Sequence, residues 1–129
     1  MSNTQSKILI VSEYFYPEEF KINEVAFELV KRGYEVDVLT CNPTYPFGEI
    51  FPEYSNEWIY EVQHKGVNIT RIKAVTGYKN NILKKILKYF SFMFIASFHS
   101  LKNHKKYDYV LGYDVGALTG MLHAILLNK

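Results

Sequence analysis

The stretch from Lys7 to Gly33, KILIVSEYFYPEEFKINEVAFELVKRG, constrains this chain more than any other. Lys7 to Val11 is a short apolar run, the pattern of a strand buried on both faces of a parallel sheet. Ile22, Val25, Ala26, Leu29 and Val30 recur at helical spacing, with Glu24, Glu28, Lys31 and Arg32 on the other face. Gly33 stands where a left-handed helix cap is wanted. Glu35 to Thr40 then alternates polar and β-branched residues as a second strand. This β-α-β unit would suit a nucleotide phosphate if its first turn were glycine-rich, because backbone must approach the pyrophosphate closely. The turn instead reads Glu13-Tyr14-Phe15-Tyr16-Pro17-Glu18-Glu19-Phe20. Bulky side chains block that approach and the carboxylates repel a phosphate. Ligands still bind beyond the carboxyl ends of strands in such sheets. Aromatic faces beside carboxylates suit a sugar, stacking on its C–H face and accepting its hydroxyl protons.

The rest of the chain continues the alternation. Cys41 to Pro52 carries three prolines and a glycine and reads as a loop beyond the second strand. A short helix is expected around Tyr54 to Gln63, a turn at Lys65-Gly66, and a third strand over Val67 to Val75. A helix dense in aromatics runs from about Asn81 to Asn103, YDYVLGY gives a fourth strand, and Val115 to Leu127 a final helix. Few hairpin signals and strands alternating with helices predict an α/β fold with a Rossmann-like parallel sheet flanked by helices. At 129 residues, 48% hydrophobic, without low-complexity tracts, the chain fits one domain over 1–129. Cys41 is the only cysteine, which excludes an internal disulfide and Cys/His zinc spacing and fits a reducing, cytoplasmic setting.

ILIVSEYFYPE, FKIN at the helix start, ELVKRGYEVDVLT and the PTYPFG loop together resemble the N-terminal domain of bacterial family-four glycosyltransferases, in the capsule and O-antigen branch that includes fucosamine transferases. The resemblance is close over residues 7 to 48 and architectural beyond. It implies the N-terminal half of a GT-B fold, which receives the acceptor while a C-terminal half binds the nucleotide sugar. It also implies retention of anomeric configuration and no required metal. Carried over residue by residue, Glu18, Lys21 and Asn23 in PEEFKIN and Tyr45, Pro46 and Gly48 in PTYPFG border the interdomain cleft. Tyr14 joins them as an aromatic of the turn. Thr44 stands where the family commonly has an amide, and Lys21 where arginine is frequent. The donor half, with its paired glutamates, would lie beyond Lys129, so the chain reads as a fragment whose nucleotide-sugar donor binds elsewhere.

Several of these residues also have a plainer role. Tyr14, Phe15 and Tyr16 can cap the core at the sheet's end, Glu18 and Glu19 can face the helix dipole, and Asp114 can cap a helix. The histidines His64, His99 and His104 lack ligand spacing, so no metal site is expected, and no nucleophile with its base can be nominated. Between Gln63 and Tyr107 there is no Asp or Glu, while lysines are frequent. In the aromatic helix, Leu83, Ile86, Phe90, Met93, Ser97 and Leu101 form one stripe, expected to face the core. Lys85, Lys88, Phe92, Ile95, His99 and Lys102 lie opposite, placing apolar groups between lysines as in an interfacial helix. Lys84, Lys85, Lys88, Phe92, Ile95 and Lys102 are therefore the expected contacts to an anionic membrane surface. Its apolar centre is too short to span a bilayer, which needs roughly 20 residues. Nucleic acid ranks below membrane, since base-stacking aromatics usually stand on a sheet or groove. The expected function is the acceptor-binding half of an enzyme moving a sugar to a lipid-linked saccharide at the inner membrane face, peripheral to it. The alternative is a non-catalytic membrane-docking subunit of a two-chain glycosyltransferase.

Overall fold

A computed structural model describes residues 6–44, 48–103 and 107–113. The elements run β1 (Lys7–Ser12), α1 (Lys21–Lys31), β2 (Glu35–Cys41), β3 (Ile59–His64), β4 (Val67–Ile72), α2 (Ile82–Asn103) and β5 (Tyr109–Tyr113). They form one five-stranded sheet in the order β3-β4-β2-β1-β5. All pairings are parallel except β3 with β4. The chain steps outward from β1 through β2 to β4 and then returns to β1's other side for β5. The progression therefore reverses between β1 and β5.

Alternation along the strands sorts the core into two layers. Ile8, Ile10, Val36, Val38, Val67 and Ile69 meet Ile22 and Ala26 of α1 on one face. Leu9, Val11, Leu39 and Ile72 meet Phe92 and Ala96 of α2 on the other. The first helix ends as expected: Gly33, at φ +93, donates its N–H to Val30, and the Tyr34 N–H reaches back to Leu29, satisfying the last carbonyls.

The segment 54–63 is not a helix. Lys65 and Gly66 adopt φ +50 and +82, the paired left-handed turn whose twist suits a two-residue hairpin. It folds β3 back on β4 in antiparallel register, Ile59 against Ile72 and His64 against Val67. The alternation in IYEVQH serves that pairing, and β4 ends at Ile72 because Lys73 to Val75 pass into the loop. The final helix expected over Val115 to Leu127, and Asp114, lie outside the described residues.

Candidate functional site at the carboxyl edge of the sheet

The carboxyl ends of β1, β2 and β4 carry a row of polar residues where the apolar pattern stops. Register places Ser12 beside Tyr113, and Thr40 beside Arg71, on the α1 face. These side chains fasten the β1–α1 turn atom by atom. Ser12 donates its hydroxyl to the Tyr14 carbonyl, and Thr40 donates to the Glu13 carbonyl at 3.0 Å. Arg71, buried in β4, donates Nη1 to the Cys41 carbonyl and Nη2 to the Tyr16 carbonyl, whose peptide to Pro17 is cis. Burial lowers the Arg71 pKa from its usual value, and the nearby phenols of Tyr54 and Tyr60 oppose this.

Glu18 is 2% exposed and folds its carboxylate back into the turn. Oε1 accepts the N–H of Phe15 at 3.3 Å, and Oε2 accepts the N–H of Thr44, from the loop after β2, at 3.1 Å. Asn23 in the first turn of α1 donates its amide to the Glu18 carbonyl at 2.7 Å. Glu18 thus ties two carboxyl-edge loops together through its own buried anion.

A second buried cluster stands on the α2 side. Lys88, 2% exposed, forms an ion pair with the fully buried carboxylate of Glu13 at 2.7 Å. Lys88 also donates to the Tyr14 hydroxyl, and its ammonium lies 4.4 Å from the ring centroids of both Tyr14 and Tyr78. Tyr78 in turn shares a hydrogen bond of 3.1 Å with the Thr44 hydroxyl. Burial, and after it the Glu13 carboxylate, hold the Tyr14 phenol and the Cys41 thiol well above their ordinary values, so both stay protonated and unreactive at neutral pH.

The expected acceptor residues therefore divide. Glu18, Tyr14 and Asn23 are buried, and Asn23 also lines the depression at the start of α1. Tyr14 stacks on Phe20 at 4.7 Å. Gly48 is buried too, closing a turn to the Thr44 carbonyl at 2.8 Å and accepting from Gly77 at 2.7 Å. Lys21 is exposed at the start of α1, in a shallow depression of about 350 Å³ with Glu19, Asn23 and Glu24. Tyr45 and Pro46 lie outside the described residues. Tyr16 remains accessible and stacks on His64 of β3 with centroids 3.9 Å apart.

The expected membrane contacts also need correction. Lys88 and Phe92 are buried against the sheet, and Ile95 packs at the edge of that core, so these three belong to the inner face of α2. Lys84, Lys85 and Lys102 are exposed. Of the stripe expected to face the core, Leu83, Ile86 and Phe90 are exposed, together with neighbouring Leu87, Phe94 and Phe98, Met93 and Ser97 are half-buried, and the Leu101 side chain lies outside the described residues. The reason is Glu13, whose buried charge draws Lys88 inward and so helps fix which side of a helix with apolar residues on more than one side meets the sheet.

Arg71 and the pairing of Glu13 with Lys88 go beyond the residue roles expected from the sequence. Arg71 had a sequence signature, since it continues the inward series Val67, Ile69. Among the described residues no group of three or more His, Cys, Asp or Glu side chains could hold a metal ion, and no helix is long and apolar enough to cross a membrane. Neither a protein-family model nor a curated protein sequence matches this chain.

Proposed function

We propose that this chain is the acceptor-side, Rossmann-like half of a GT-B glycosyltransferase, which orients a saccharide hydroxyl for a sugar donated from a nucleotide bound by a second α/β unit. The observation that carries the reading is the Glu18 carboxylate on the N–H groups of Phe15 and Thr44. A turn that carries its own buried anion on the Phe15 N–H disfavours a diphosphate there, yet it stands at the ligand edge of a mostly parallel sheet whose strand order reverses beside it. Fixing the turn through Ser12, Thr40, Arg71 and Asn23 makes it rigid, which is the property an orienting surface needs. Accessible Tyr16 and Lys21 are its outward groups. In this division of labour the donor unit neutralises the leaving diphosphate.

The lipid part of the reading rests on α2. Its exposed face carries Leu83, Leu87, Phe90, Phe94 and Phe98, with Phe94 81% exposed. Lys84 and Lys102 flank it and no acidic residue lies between Gln63 and Tyr107. Such a face suits the acyl boundary of an anionic bilayer, where a lipid-linked acceptor is presented.

Amide NMR titration of the chain tests the proposal. A saccharide is expected to move the resonances of Tyr16, Glu19 and Lys21 and a UDP-sugar to leave them in place. Saturable shifts of the turn amides by UDP-sugar would place the donor here and overturn the reading.

A further inference from the structure

A groove of about 330 Å³ opens between α2 and the two segments that flank the β3–β4 hairpin, lined among others by Asn56, Trp58, Lys73, Thr76, Leu87 and Ser91. It lies at the carboxyl edge of the sheet, because the Lys73 N–H donates to the Trp58 carbonyl just past the end of β4. Its volume falls within the range of small-ligand pockets, about 300 to 1,000 Å³.

The walls are rigid and the lining chemistry is specific. Asn56 pairs its side-chain amide with both backbone groups of Ala74, each at 2.9 Å, as a strand neighbour would. Buried Asn42 donates to the Asn56 Oδ1 at 3.1 Å and to the Glu57 carbonyl at 3.3 Å, and it accepts from the Tyr60 hydroxyl at 2.7 Å. On this fixed frame Trp58 is left 68% exposed, an unusual position for the largest apolar side chain. The Lys73 ammonium stands 4.6 Å from the Trp58 ring centroid and has no carboxylate partner within salt-bridge distance among the described residues. No lining residue is acidic.

An indole platform, two hydroxyl-bearing side chains and one unneutralised cation match a pyranose ring that bears a carboxylate. The ring's C–H face covers the indole, Thr76 and Ser91 meet hydroxyls, and Lys73 meets the charge. A nucleotide fits less well, because a phosphate calls for several converging donors and the groove supplies one cation.

We propose that the Trp58–Lys73 groove is a subsite for an acidic sugar unit of the acceptor, a hexuronate or its equivalent; this rests on the saccharide-acceptor reading above. The site sits on the opposite side of the sheet's carboxyl edge from the α1 depression, so it would grip a sugar remote from the reacting hydroxyl.

Trp58 is the only tryptophan, so intrinsic emission reads the groove directly. The probe is a tetrasaccharide of alternating glucuronate and N-acetylglucosamine, titrated into the full chain. A saturable change in emission is expected, with Lys73→Gln weakening binding about tenfold and tetra-N-acetylglucosamine binding as weakly as that variant. Saturation-transfer NMR on the same samples reports binding anywhere on the chain. Binding seen by NMR without any change at Trp58 overturns the subsite and leaves the acceptor reading standing, whereas no binding by either method overturns both. Equal affinity for the acidic and neutral tetrasaccharides overturns the assignment of an acidic sugar. Tighter, Lys73-dependent quenching by UMP makes the groove a nucleotide site and overturns both proposals. Trp58→Leu, followed by NMR, leaves Lys73 in place and keeps the test open should Lys73→Gln lose its thermal transition.

Discussion

Replacing Glu18 tests whether a carboxylate stands in for a ligand anion. In Glu18→Ala the N–H groups of Phe15 and Thr44 both lose a buried charged acceptor. Each unsatisfied buried donor costs about 1 to 3 kcal/mol, so the sum is about 4 kcal/mol. For a domain of this size that corresponds to a fall in Tm of about 15 °C. Glu18→Gln keeps one acceptor oxygen and turns an NH₂ toward the other donor, so it should lose about half as much. Urea denaturation followed by far-UV circular dichroism gives both values, since the midpoint shifts while the slope holds. The alanine variant carries a further consequence. Its two freed N–H groups face a space of carboxylate size, so added sulfate should stabilise Glu18→Ala more than it stabilises the parent. A Glu18→Ala loss below about 1 kcal/mol would refute the reasoning. Equal losses for alanine and glutamine would trace the effect to charge alone and not to two acceptor oxygens.

The Glu13–Lys88 pair should behave as a unit: Lys88→Met leaves a buried carboxylate uncompensated and costs about 3 to 5 kcal/mol, while adding Glu13→Gln restores much of it. A double variant no more stable than Lys88→Met, by urea midpoint, would show that the two charges are not coupled. His64 gives a pH dependence of definite sign. Burial, then Lys65 and Arg71, lower its pKa from 6.5, so the unfolded chain binds the proton more readily. His64 therefore contributes stability that is complete above about pH 6.5 and is lost as pH falls through its lower folded value. His64→Phe keeps the stack on Tyr16 and removes the titration, and coincident pH–stability curves for parent and variant would contradict the assignment. On α2, Phe94→Glu should reduce co-flotation with phosphatidylglycerol-rich vesicles about tenfold or more, given about 1.5 to 3 kcal/mol for burying such a side chain. Unchanged flotation would mean that this face does not meet lipid.

Much of the fold was legible because local and global preferences agree there. The apolar run of β1, the stripe and glycine cap of α1 and the alternation of β2 each specify one structure and pack against each other. The hairpin was missed because its decisive element, Lys65-Gly66, also reads as an ordinary turn between a helix and a strand. Only the left-handed pair of dihedrals distinguishes the two, and dihedrals are a property of the folded chain. The site was legible as a location and not as a set of contacts. A carboxylate in a turn reads the same whether it meets a ligand hydroxyl or a backbone N–H, and Glu18 meets two of the latter.

The facing of α2 shows where pattern runs out. Apolar residues fall on more than one side of this helix, so periodicity offers more than one stripe and a lysine argues for solvent wherever it falls. Lys88 goes inward because Glu13 is already there, at the end of a central strand with no route to water. Glu13 is tolerated only because Lys88 arrives. Neither residue can be placed without the other, and 75 positions separate them. That mutual dependence has a functional corollary. Lys88 touches the aromatic turn through Tyr14 and the segment after β4 through Tyr78, while the side of α2 away from it carries Phe90 and Phe94. One helix therefore both braces the proposed acceptor edge and offers the apolar face, and the ion pair fixes the rotation that lets it do both.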